Sequence, residues 1–116
     1  MKVDILHKGK VIGHCDNLDP IDPPMGVAAG RFDPTPDYDR RLHAFVVDGD
    51  HNDLDGEIQL SARSVEFGAI QCAGVGIEDC AETLKEVYVT ILGIPYPDYQ
   101  TFFASYALYK AYWRRD

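Results

Sequence analysis

Five aromatic side chains, Tyr99, Phe102, Tyr106, Tyr109 and Trp113, recur at spacings of three and four near the end of the chain. At about 100° per residue, these and Phe103 share an arc of about 120° on one helix face. Ala104, Leu108 and Ala111 take the other side. Pro97 and Asp98 stand where a first helical turn tolerates proline and favours a carboxylate, and Arg114 and Arg115 suit the negative end of the helix dipole. A ring-rich stripe of this width has to be covered. Ordinarily it seals one face of an open sheet; the alternative is a homodimer contact, where Tyr and Trp are enriched. Lys110 lies inside the stripe, but its aliphatic stem lets the ammonium reach water.

The upstream sequence supplies such a sheet. Lys85 to Leu92 alternates Val87, Val89 and Ile91 against Tyr88, Thr90 and Leu92, the period-two pattern of a half-buried strand. Ile58, Leu60 and Ala62 alternate in the same way, and Glu66-Phe67-Gly68 reads as a hairpin connection. Ala69 to Ile77 predicts a strand in which Gly74 and Gly76 mark a bulge or a close backbone approach. Leu42 to Val47 predicts a strand from its β-branched and aromatic content. At the start, Val3, Ile5 and His7 lead through Lys8-Gly9-Lys10 into Val11 and Ile12, a β-hairpin. A two-residue turn would put His7 and His14 on one face; a three-residue turn would put them on opposite faces. The expected fold is α+β: one domain over residues 1–116, a mostly antiparallel β-meander of about five to seven strands packed against one C-terminal α-helix.

Residues 17–40 break this rhythm. Five prolines remove backbone donors and bar the segment from a central strand. Ile21, Met25, Val27 and Phe32 are nonetheless apolar, which predicts a loop draped over the core, with a short extra strand around Gly26 to Phe32. Within it, Pro24, Met25, Gly26, Gly30 and Arg31 form a binding candidate. The prolines stiffen the backbone, the glycines and alanines leave it bare for another surface, and Arg31 offers a forked donor for a carboxylate. The plainer alternative is a stiff connection whose Arg31 pairs with a neighbouring aspartate.

The net charge is −8, from 19 acidic and 11 basic residues. Only Arg40-Arg41 and Arg114-Arg115 cluster positive charge, so a phosphate backbone is repelled and nucleic acid is not an expected partner. A basic protein would be attracted, although acidity also serves solubility alone. Apolar runs fall short of the roughly 18 residues a membrane span needs. Cys15, Cys72 and Cys80 form no CxxC pair, and the N-terminal MKVDILHKGK interrupts any apolar leader with Asp4 and a turn. A reducing cytoplasm is the expected location.

The turn containing Asp48, Asp50, His51, Asp53, Asp55 and Glu57 is the second binding candidate, represented by Asp48, Asp50 and His51. Counted from Asp48 as an EF-hand, it puts Asp53 where Gly belongs and Gln59 where Glu belongs, so no metal site is assigned and a solvated turn accounts for the residues. His7, His14, His43 and His51 are the available imidazoles for acid–base work. His14 and Cys15 are adjacent on a strand, point to opposite faces and form no nucleophile–base pair. Gly74-Val75-Gly76 begins like a dinucleotide fingerprint, but Asp79 replaces the third glycine. No catalytic set and no cofactor are assigned. The expectation is a binding or accessory domain acting through protein–protein contact, with a homo-oligomer or a small Asp/His-dependent enzyme as alternatives.

Overall fold

A computed structural model describes residues 1–52 and 59–113. The architecture is mixed α+β. Its strands are β1 (Val3–His7), β2 (Lys10–Cys15), β3 (Asp19–Asp22), β4 (Val27–Arg31), β5 (Asp33–Pro34), β6 (Val46–Val47), β7 (Asp50–His51), β8 (Leu60–Ser64), β9 (Gly68–Ala69), β10 (Gly74–Cys80) and β11 (Glu86–Leu92). The helices are α1 (Arg40–His43), α2 (Tyr96–Phe103) and α3 (Ala107–Trp113), and Pro23–Met25 forms a 3-10 turn. One sheet runs β5-β2-β1-β8-β9 and the other β3-β4-β11-β10-β6-β7. Among the described residues, every pairing is antiparallel except β6 with β10.

The α+β class and the antiparallel bias match expectation; the details differ. Seven of the described strands have four or more residues, and four more are two-residue pieces. Chain order is also scrambled between two sheets rather than laid out as a meander. Both sheets feed one core: Val3, Ile5, Ile12 and Ala62 from the first meet Ala28, Ile77, Val89 and Ile91 from the second. The expected strand Leu42–Val47 is largely absent, because Arg40–His43 turns into α1 and only Val46–Val47 remains extended. Asp39 caps that turn by accepting from the Arg41 amide at 2.9 Å.

The single C-terminal helix is two helices, separated at 104–106 and joined by a Tyr106 N–H donated to the Phe103 carbonyl at 2.9 Å. The aromatic stripe still points inward for most of its length. Tyr99, Phe103 and Tyr109 are buried, Phe102 and Tyr106 are half-buried, and Trp113 stays 41% exposed. The Tyr99 hydroxyl donates to the Val27 carbonyl at 2.8 Å, tying α2 to β4. Among the described residues, no helix is long and apolar enough to cross a membrane.

The first hairpin has a two-residue turn, with Lys8 and Gly9 both at positive φ as a type I′ turn requires. His7 and His14 nevertheless face opposite sides. A bulge sets Ile5 against Gly13 and Leu6 against Val11, so Ile12 is an extra residue that reverses the parity of everything beyond it. His14 therefore lies on the outer face beside Asp4, whose carboxylate meets its Nδ1 at 2.7 Å, while His7 turns toward α1.

Gly26 holds the path from the 3-10 turn into β4. Its φ is +66°, and a β-carbon there would be driven into the Ile94 carbonyl oxygen. Replacing Gly26 with Ala should lower the unfolding free energy by about 2 kcal/mol or more, combining left-handed strain with a backbone clash. Gly9, also at positive φ but with open space around it, should cost only about 1 kcal/mol on the same change. Urea unfolding of the two variants measures the difference.

Candidate functional site

The two candidate segments come to different ends. Pro24 and Met25 are exposed on the 3-10 turn, Met25 by 67%. Gly26 accepts from the Ile94 amide at 3.0 Å, and Gly30 lies against the Cys15 sulfur and the Asn17 carbonyl, so the bare backbone is approached by the chain itself. Arg31 reaches the Glu86 carboxylate at 3.1 Å rather than a neighbouring aspartate. The short extra strand expected around Gly26 to Phe32 is β4, but it is a central strand between β3 and β11, contrary to expectation, because none of the five prolines falls within Val27–Arg31.

Asp48, Asp50 and His51 do converge. Val47 pairs with Asp50 around Asp48-Gly49, both at positive φ, giving another two-residue type I′ turn. This β6–β7 hairpin walls a cleft of about 290 Å³ completed by Arg40, Arg41, Asn52 and Glu82. Asp53, Asp55 and Glu57 lie outside the described residues. Among the described residues, no group of three or more His, Cys, Asp or Glu is placed to hold a metal ion.

Arg40 organises the cleft. Its Nη2 donates to Asp48 at 2.6 Å and Asp79 at 3.1 Å, and its Nη1 meets Glu82 at 3.1 Å. Asp79, only 2% exposed at the inner end of β10, also accepts from the Tyr38 hydroxyl at 2.6 Å and the Ala81 amide at 3.0 Å. A carboxylate in that position is tolerable only with such partners. Asp48 accepts from the Glu82 and Thr83 amides and the Thr83 hydroxyl at 3.1–3.2 Å. Burial works against its charge, but Arg40 and Thr83 outweigh burial and hold the carboxyl below its usual value. Tyr38 is shifted the other way: burial and then the hydrogen bond to Asp79 push its hydroxyl well above the usual phenol range. It stays a donor.

Three carboxylates thus share one guanidinium. Asp50 adds a further carboxylate on an exposed edge strand, with no partner among the described residues. Asn52 donates from Nδ2 to the Ala44 carbonyl at 2.8 Å and the Arg41 carbonyl at 3.0 Å, closing the end of α1. Sequence reading missed Tyr38, Arg40, Asn52, Asp79 and Glu82 as members of this group. The available signal was Asp79 two residues beyond Ile77, on the same parity, where the expected strand Ala69–Ile77 continues as β10 to Cys80; it was noticed only as a misfit in a glycine motif.

Of the other candidates, His7 and His43 meet at 3.1 Å away from this cleft, and the rest disperse. Asp4 takes hydrogen bonds from His14 and from Arg63 at 3.1 Å on the outer face of the first sheet. Burial opposes its charge, yet those two donors hold its carboxyl below the ordinary value of 3.8. That contribution is present above the ordinary value and is lost as pH falls through the folded one. Cys15 is buried, its thiol pushed up to about 11 by desolvation, which suits a core residue rather than a nucleophile. A larger groove of about 430 Å³ lies between Leu60 and the Ile70–Val75 stretch, but it gathers none of the candidate residues. The cleft at Arg40 is preferred because charged side chains from separate elements converge there. Comparison with protein-family models, curated proteins and solved structures found no match.

Two substitutions test the construction of the cleft. Tyr38→Phe should cost about 1–2 kcal/mol, because it leaves the buried Asp79 short of one donor. Asn52→Ala should cost about 1 kcal/mol by freeing the last carbonyls of α1. Chemical denaturation reads both, and neutrality at either site would mean that the hydrogen bond carries no net stability.

Proposed function

We propose that this chain is a binding module that docks a basic protein partner on the acidic edge formed by the β6–β7 hairpin and Glu82. The observation that carries this reading is the surplus of carboxylates at the cleft, where Asp48, Asp50 and Glu82 line the walls against Arg40 and Arg41 and the buried Asp79 also holds Arg40. Asp50 and Glu82 are the outward members, and Asp48 is held charged behind them. An arginine or lysine from a partner would find Asp48 already ordered by Arg40 and Thr83, leaving Asp50 and Glu82 as the acceptors still to be ordered. The net charge of −8 extends the attraction and speeds encounter at low ionic strength. The same charge disfavours a nucleic-acid backbone. Three free thiols fit a working place in the reducing cytoplasm. Acid–base catalysis has less support, since the converging imidazoles His7 and His43 line neither described cleft.

Affinity enrichment from source lysate, with the wild type and an Asp50→Lys/Glu82→Lys variant, tests the reading. Basic proteins should be retained by the wild type at about 50 mM salt, and that retention should fall at least tenfold at about 500 mM or on charge reversal. Equal retention by both proteins at both salts would reject the acidic edge as the docking surface.

A second reading, the homo-oligomer, has its own observation: Tyr96, Leu108, Tyr112 and Trp113 keep 41–52% of their surface on α2 and α3. Sedimentation equilibrium separates the two. The binding-module reading expects the 13.0 kDa monomer mass up to about 100 μM, because like-charged copies repel, and a dimer mass would favour the oligomer.

A further inference from the structure

Behind Arg40, the single turn of α1 ends on a histidine whose two ring nitrogens are both committed. His43 is 3% exposed. Its Nδ1 accepts the Asp39 backbone N–H at 3.0 Å, and its Nε2 lies 3.1 Å from Nδ1 of His7 on β1. The two rings meet edge to face at 4.9 Å, and Tyr38 stacks on the other side of His43 at 5.7 Å.

These contacts allow one proton arrangement. An amide can only donate, so His43 Nδ1 carries no proton and the neutral ring has its hydrogen on Nε2. That hydrogen is donated to His7 Nδ1, and neutral His7 then carries its own on Nε2, a buried atom with no partner. One more proton has no acceptable position. On His43 Nδ1 it would confront the Asp39 N–H. On His7 Nδ1 it would confront the Nε2–H of His43, unless His43 moved its proton to Nδ1 and met the same amide. Either way, the link between rings or the link to the backbone breaks.

From this closed arrangement, the geometry points to a proton-operated latch: neutral His7 and His43 fasten α1 to the first hairpin, and protonation of the pair releases it. The surrounding charges do not relieve the conflict. Asp39 favours a positive His43, but its carboxylate is occupied as the α1 cap. Tyr38 spends its proton on Asp79 of β10, Arg40 is bound to Asp48 and Asp79, and Lys10 of β2 stands across from His7 in the hairpin register. Burial, followed by the neighbouring His7, lowers the His43 pKa, while Asp39 opposes the shift only in part. The sign follows. The unfolded chain binds the proton more readily than the folded one, so stability falls as pH drops below the ordinary histidine value of 6.5 and is restored above it. Because α1 carries Arg40, release of the latch also loosens the anchor of the cleft. The latch itself stands apart from the docking reading.

Long-range ¹H–¹⁵N spectra of the isotope-labelled protein, without any partner, test it on the wild type. Both rings should be Nε2–H tautomers near about pH 7.5, and acidification toward about pH 5 should change both rings and the Asp39 amide in one concerted step. The thermal midpoint should fall over the same range, and His7→Gln and His43→Gln should each remove at least about half of that fall. An Nδ1–H tautomer on His43 at neutral pH, or ring titration that leaves the Asp39 amide unmoved, would overturn the latch. Retention of the full acid-side fall in both latch variants would do the same. If neither latch variant folds, the wild-type spectra decide alone.

Discussion

A carboxylate that is only 2% exposed sets the terms for one end of this protein. Asp79 cannot be left there alone, since an uncompensated buried charge costs several kcal/mol. Its three partners come from two places: Tyr38 and Arg40 from the start of α1 and the segment before it, and the Ala81 amide from the turn after β10. Arg40 in turn carries Asp48 of the β6–β7 hairpin and Glu82. Three chain segments, 38–40, the β6–β7 hairpin and 79–82, are pinned by the requirement to satisfy one buried group. The cleft rests on that pinning, because hairpins as short as β6–β7 have little stability of their own.

The same network explains where sequence reading succeeded and where it did not. Period-two alternation in β11 was legible because burial at Val87, Val89 and Ile91 is set locally by the pleat. The aromatic stripe was legible for the same reason at helical period. Leu42–Val47 was not. Its composition favours a strand, but the local Asp39 cap and two tertiary contacts, the Asn52 side chain on the α1 carbonyls and the Arg40 ion pairs, outweigh a propensity of about 1 kcal/mol. The bulge at Ile12 was equally invisible, since one inserted residue leaves no mark in composition yet reverses the faces of His7 and His14.

The proline-rich stretch shows how a sequence signal can be correct in chemistry and incomplete in placement. Gly26 and Gly30 did mark close approach, but the approaching surfaces are Ile94 and Cys15 of the same chain. Pro20 and Pro34 avoid the penalty for proline in a sheet by standing on β3 and β5, the edge strands of their sheets. Around the acidic turn, Asp48, Asp50 and His51 were readable as a polar hairpin, whereas their organiser required long-range pairing. Asp79 looked like a misfit because its partners lie 39 and 41 residues away.

The claim on which this account turns is that Arg40 and Asp79 stabilise the fold as a coupled pair rather than as two separate polar residues. A double-mutant cycle of Arg40→Met and Asp79→Asn, followed by urea unfolding at neutral pH, measures that coupling directly. The account predicts a coupling of about 2 kcal/mol or more, with the double variant more stable than the sum of the single losses would allow. Losses that add to within about 0.5 kcal/mol would contradict it.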